Sequence, residues 1–327
     1  NKVVLRWPNT YTVTHPGSPQ AAGVRHSLPN SVIAVIPVSA QDATHVVISA
    51  DAFLGDIADL ADALNPSDAK PTEQYHLDPS RGFFLQAKAF PLNDMLRADQ
   101  SWVAPKSTLH DNAPDARYVE VRITYNLIAA PDDGYVPRID DPRIGYFSQP
   151  LMNFATDDGL HRSVRYIMRW NFGKRTSAAP FRAANPIVFY LSDDIPAEYR
   201  DTVRQALLTW NQAFARIGIE DAVRVEDQPH TPDWDADDIR HNVVRWVDTS
   251  SPAYGAEALL ITDPRTGEEL NIGVNFDAIV GMLGRQLYKY IIAPARGLPD
   301  TAGAEREFTD QFVESIILHE SGHDMGL

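Results

Sequence analysis

The sequence predicts an α+β protein, β-rich in its first half and mixed in its second, and three observations carry that reading. Residues 32–127 contain four stretches dense in β-branched and aromatic residues, the composition of half-buried strands. Beyond Pro186, short strand-like runs alternate with helical ones. Among the latter, Val203, Leu207, Trp210, Phe214 and Ile217 step by four, three, four and three residues, which lays one apolar stripe along a long helix, and Gly218 supplies its C-terminal stop.

In order, strands are expected at 32–38, 46–49, 83–90 and 118–127. The last is the clearest: Val119, Val121, Ile123 and Tyr125 alternate with Glu120, Arg122, Thr124 and Asn126, giving one buried and one wet face. Leu54, Ile57, Leu60, Ala61 and Leu64 predict a helix over 51–64. Residues 131–143 shift to Pro, Asp, Gly and Arg, a loop signal, and 175–186 are polar and proline-containing. A boundary placed there divides the chain into a β-rich N-terminal domain, 1–178, and a second domain, 179–327.

The second domain opens with a strand at 186–191, and Pro196 suits the first position of the long helix. Strand candidates follow at 222–225, 242–247, 257–262 and 270–276. Residues 263–268, with Pro264 and Gly267, form a turn between the last two and predict a hairpin. Helical patterns close the chain at 278–292 and from 305 onward.

Composition bounds what such a chain can do. With 327 residues, 44% hydrophobic and 22% charged, it can build two ordinary globular cores. No apolar run approaches the roughly 20 residues that span a bilayer, so no transmembrane segment is expected. A net charge of -15 argues against nucleic acid as a partner, because that binding draws on clustered Lys and Arg. The absence of cysteine removes disulfides and thiolate metal sites. Nothing in the pattern specifies an oligomeric state. The first residue is Asn rather than Met and the last lies within a motif, so the sequence reads as an internal piece of a longer protein.

That motif is His319, Glu320, Ser321, Gly322, His323, which fits H-E-x-x-H. Residues four apart stack on one face of a helix, so two imidazoles can ligate one zinc ion. Glu320 lies on the flank of that face, where it can take a proton from a zinc-activated water as general base. Phe308, Phe312, Ile316, His319 and His323 follow helical steps, so the ligand face is expected to continue an apolar face into the core. The competing reading is a solvent-facing helix end with two ordinary histidines.

The longer metzincin form of the motif is H-E-x-x-H-x-x-G-x-x-H, in which the glycine lets the chain turn sharply toward a third histidine. Gly326 stands at that glycine position, and the third histidine would fall two positions past Leu327. Two protein ligands are fewer than the three plus water of a catalytic zinc, so this stretch by itself is expected to bind zinc weakly and to be inactive. The remaining histidines, such as His15, His161 and His241, show no ligand spacing.

The chain resembles the large bacterial zinc-dependent metalloproteases in which a metzincin-like catalytic domain follows a domain of unknown function. The resemblance runs through 75–91 (YHLDPSRGFFLQAKAFP), 137–147 (PRIDDPRIGYF), 165–170 (RYIMRW), 185–214, 238–247 (DIRHNVVRWV) and 263–270 (DPRTGEEL), and ends on His319 to Leu327. Ser321 stands where the family has an aliphatic residue, and Asp324 and Met325 where it more often has threonine and leucine.

The resemblance implies the N-terminal subdomain of a zincin over 179–327: a twisted mixed sheet, a long backing helix and an active-site helix. It implies a zinc endopeptidase with His319 and His323 as ligands and Glu320 as general base, exported to the periplasm, cell envelope or exterior, with a peptide or protein as substrate. By position it suggests that 270–276 is the edge strand that pairs with extended substrate, with Leu270, Ile272 and Val274 lining it; a purely structural hairpin fits the same residues. Two alternatives stand beside this reading. One is a catalytically inactive binding or scaffold module that keeps the fold. The other is a downstream glutamate as third ligand, against which Gly326 argues.

Overall fold

The computed structural model describes residues 1–15, 17–106, 113–155, 163–173, 180–249 and 254–327. The fold is α+β. Its contacts group into two compact units: the first runs over 1–129 with a short return near 154, and the second takes 130–153 and the remainder of the chain. The division expected at 178 therefore falls earlier, because residues 130–153 and 163–173 pack with the C-terminal half.

In the first unit, β1 (Lys2–Trp7), β2 (Ser31–Gln41) and β3 (Val46–Ile48) form one antiparallel sheet in the order β1-β2-β3. A second antiparallel sheet is built from β4 (His76–Leu77), β5 (Phe83–Ala89), β6 (Asn93–Val103) and β7 (Tyr118–Ile128). β6 is its centre: β7 pairs along its full length on one side, and β5 then β4 on the other. Tyr75, Trp102 and Ala104 form the buried cluster beneath it.

Sequence periodicity misses β6 because its buried positions include Asn93, Asp99 and Gln100. Each finds a partner outside the strand, although the Gln100 Oε1 has none among the described residues. Arg122 grips Asp99 through two bonds of 2.7 and 2.8 Å, Asn93 donates to Asn126, and Gln100 donates to the Gly55 carbonyl. The helix expected over 51–64 breaks into a 3₁₀ turn, Ala50–Leu54, and a single α-turn, Ala61–Leu64. Gly55 is extended and Asp59 is left-handed at φ 52°, so no continuous helix can pass through them.

The second unit opens with an antiparallel pair, β8 (Ser148–Asn153) and β9 (Ser163–Ile167). Its main sheet comprises β10 (Arg169–Trp170), β11 (Ile187–Leu191), β12 (Val223–Asp227), β13 (Asn242–Val247), β14 (Ala256–Thr262) and β15 (Glu268–Asp277). Strand order is β10-β15-β13-β11-β12, all parallel, with β14 antiparallel on the outer side of β15. The expected hairpin is present as β14 and β15, closed by Gly267 at φ 76°.

Two long helices, α1 (Ala197–Arg216) and α2 (Ala302–His323), pack on each other. The core between sheet and helices holds Phe189, Leu191, Val203, Leu207, Ile272, Val274, Phe276, Val313 and Ile317. Burying side chains of this kind stabilises by about 1.5–3 kcal/mol each. Residues 279–323 are helical in all but the 297–301 loop, with a π-helical turn at Tyr288–Ile292. Among the described residues no helix is long and apolar enough to cross a membrane.

Candidate metal and catalytic site

α2 is capped at its start by Thr301, whose side chain accepts from the Ala304 amide, and runs without interruption into His319–His323. Its deepest positions are Thr309, Val313, Ile317 and Ser321, one residue along from the stripe read in the sequence. Phe312 and Ile316 lie on the flank of the core, His323 is half-buried and His319 is exposed. The ligand face thus adjoins the core rather than continuing it.

The depth of α2 is set by α1. Trp210 Nε1 donates to Ser321 Oγ at 2.9 Å, and Ser321 Oγ in turn donates to the Ile317 carbonyl at 2.6 Å. A side chain at Gly322 would meet the Trp210 ring at 3.3 Å, so the two helices approach closely here. Ser321 accordingly serves the helix interface.

The helix ends in a Schellman turn. Leu327 N–H bonds to the Gly322 carbonyl, Gly326 N–H bonds to the His323 carbonyl, and Gly326 is left-handed at φ 82°. A Cβ at Gly326 would also collide with the Met168 carbonyl oxygen, so both backbone angle and space require glycine.

At this helix end the two imidazoles converge, with His319 Nε2 and His323 Nε2 3.1 Å apart. Two nitrogens each about 2.0–2.1 Å from one zinc ion at the tetrahedral angle stand about 3.3 Å apart, so the pair suits a shared ion. His323 Nδ1 lies 2.7 Å from the Leu327 carbonyl, which can only accept; a proton on Nδ1 suits this contact and makes Nε2, the atom facing His319 Nε2, the nitrogen with the lone pair. The Phe147 ring stacks on His323, with centroids 5.1 Å apart and planes at 25°. Glu320 Oε2 accepts from the Ala258 amide of β14 at 3.2 Å, which places this carboxylate between α2 and β14. Among the described residues, no group of three or more His, Cys, Asp or Glu side chains is arranged around a single metal position.

Leu270, Ile272 and Val274 do not line an edge. They belong to β15, which has β14 on one side and β10 and β13 on the other. Ile272 and Val274 are fully buried in the core and Leu270 is half-buried. Of the two hairpin strands the outer one is β14, with no further strand paired to it among the described residues. Which hairpin strand is outermost depends on which of them pairs with β13, a contact between distant residues that hairpin composition does not encode.

Two buried carboxyls lie behind the motif: Glu269, which the sequence does not single out, and Asp324, which it marks only as a departure from the family pattern. Glu269 and Asp324 are almost fully buried; among the described residues neither Glu269 oxygen has a hydrogen-bond partner, while the Gly273 amide faces the Asp324 carboxyl. Burial pushes the Glu269 carboxyl up to about 8, with the Arg169 guanidinium offsetting part of the effect. Burial likewise raises Asp324 well above the usual carboxylate range. Repulsion from Glu269 and Glu320 adds to this, and the Gly273 amide opposes it. Acidic residues on a strand and at a helix end carry no spacing signal, so their burial shows only in the folded chain.

Comparison with curated proteins and with solved structures finds no match to this chain. Residues 1–175, more than half of its length, match the family model described as Domain of unknown function (DUF5117). That match takes in all of the first unit and the β8–β10 segment that packs with the second, and by it the chain belongs to the DUF5117 family.

Proposed function

We propose that this chain carries part of the active site of a zinc-dependent endopeptidase. The observation that carries the reading is the convergence of the His319 and His323 Nε2 atoms at 3.1 Å, with Glu320 beside them against β14. Zinc, when bound, supplies a Lewis acid that polarises the scissile carbonyl and makes water a nucleophile at neutral pH.

The chain's own residues divide the remaining work. His319 and His323 hold the ion through Nε2, and the Leu327 carbonyl fixes the His323 tautomer through Nδ1. Glu320 is the general base: its carboxylate takes the proton from the attacking water and returns it to the leaving amine nitrogen. The Ala258 amide holds Glu320 Oε2 in the resting arrangement, and this bond must yield or be shared when the carboxylate works. β14, to which no further strand pairs among the described residues, offers its outer backbone edge beside Glu320, so an extended peptide substrate adds to it as a further strand. The resemblance supports the same roles, an exported location and a further histidine beyond Gly326 as third ligand.

The test is Glu320→Gln in the intact protein, assayed for cleavage of an unstructured protein substrate and for bound zinc. Loss of turnover with zinc retained supports the assignment. Undiminished turnover removes Glu320 from the mechanism, and a wild-type protein that binds zinc but cleaves no peptide favours the binding-module alternative.

A further inference from the structure

We propose that Phe147 is a positioning residue for the metal-binding pair: its ring sets the plane of the His323 imidazole and its backbone holds the turn that follows. The inference rests on the zinc reading of His319 and His323. Phe147 lies far from the motif in sequence, just before β8, yet it meets the motif twice. Its ring stacks on His323 at 5.1 Å and 25°, and its N–H donates to the Gly326 carbonyl at 2.6 Å.

Both contacts bear on the same imidazole. The ring of His323 has two rotational freedoms that matter, rotation about χ1 and χ2. The Nδ1 bond to the Leu327 carbonyl restrains it from one edge only. An aromatic face packed at a near-parallel angle holds the plane of the imidazole against rotation about χ2, and so holds the direction in which Nε2 points. The Phe147 N–H bond acts one step further along, because Gly326 shapes the turn that delivers the Leu327 carbonyl to Nδ1. Releasing Phe147 loosens both restraints on Nε2.

The clamp is itself anchored. The Phe147 carbonyl accepts from Met168 N–H at 2.8 Å, and the Met168 carbonyl packs against Gly326. Arg169 then continues into β10, pairing with Glu268 at the start of β15, so Phe147 is held from the main sheet. Its side chain nevertheless stays 41% exposed, so it adds little to the core and its removal leaves the fold's principal burial intact. This combination of a weak stake in the core and direct contact with a proposed ligand is what marks a positioning role.

The experiment compares Phe147→Ala, Phe147→Leu and Phe147→Tyr with wild type and with His319→Ala in the intact protein. Zinc affinity is read by competition with a chromogenic chelator, melting temperature on the metal-free protein, and the His323 tautomer by ¹⁵N NMR. Alanine and leucine are expected to weaken zinc binding on the order of 10-fold or more, the usual effect of losing a residue that orients a ligand. Their metal-free melting temperatures should change little, the Nδ1–H population of His323 should become mixed, and tyrosine, which restores the stack, should restore affinity. Leucine keeps most of the apolar volume, so it decides the matter even if the alanine variant folds poorly. Wild-type affinity in both the alanine and leucine variants, alongside loss of zinc in His319→Ala, overturns the positioning role. Unchanged affinity in His319→Ala overturns the metal reading and the inference with it.

Discussion

Trp210 donates its indole N–H to the hydroxyl of Ser321 at 2.9 Å, and this bond joins the backing helix to the helix that carries His319, Glu320 and His323. This bond helps to fix the register of the two helices, together with Thr202–Asp310 and Arg306–Glu198 nearer the other end, because a slide leaves such donors unsatisfied. Ser321→Ala keeps the packing and removes the acceptor. It should cost about 1–3 kcal/mol and lower the melting temperature by several degrees. A variant that melts with wild type would show that the hydroxyl sets nothing.

Glu269 makes stability depend on pH with a sign opposite to that of an ordinary paired carboxylate. Its folded-state value, pushed up to about 8 by burial, lies above the unfolded value near 4.5. Between those values the native state holds a proton that the unfolded chain has released. Its contribution is therefore complete below about pH 4.5 and is lost as pH rises through 8. Urea midpoints measured from pH 5 to 9 should fall more steeply in wild type than in Glu269→Gln, whose neutral amide cannot ionise. Parallel curves would show that Glu269 is ionised throughout.

Gly326 sits at φ 82° against the Met168 carbonyl, so alanine there meets both backbone strain and a collision. Gly326→Ala should destabilise by more than the roughly 1–2 kcal/mol of the left-handed conformation alone. It should also weaken zinc binding, because the turn presents the Leu327 carbonyl to His323. Chelator competition and thermal unfolding on the same preparation check both effects, and a variant unaltered in either would contradict the turn's role.

Ile272 and Val274 act on stability rather than on substrate. Ile272→Ala should cost about 2–5 kcal/mol, the range for emptying a well-packed core position. Peptide KM should stay close to wild type wherever the variant remains folded. A selective rise in KM with unchanged stability would return these residues to a substrate-facing role.

How much of this was legible beforehand follows the range of the interactions involved. The motif, the long amphipathic helix and the β14–β15 hairpin are local patterns, set by residues three, four or a short turn apart, and the chain states them openly. β6 escapes the sequence pattern because Asn93, Asp99 and Gln100 look wet in sequence and bond to Asn126, Arg122 and Gly55, partners that folding brings from elsewhere. The helix expected over 51–64 failed for the converse reason: its apolar spacing was sound, but Gly55 and Asp59 adopt conformations that break it.

The sequence by itself determined the α+β class and the placing of His319, Glu320 and His323 on one helix followed by a turn at Gly326, since helical periodicity and glycine's freedom act over a few residues. Only the tertiary structure decided which hairpin strand is the outer one, what sets the depth of α2 and which residue leans on His323. Those outcomes depend on the Trp210–Ser321 bond, on the pairing of β13 with β15 and on the Phe147 stack. Each joins residues far apart in the chain, and such contacts form when a whole core closes rather than when any one segment folds.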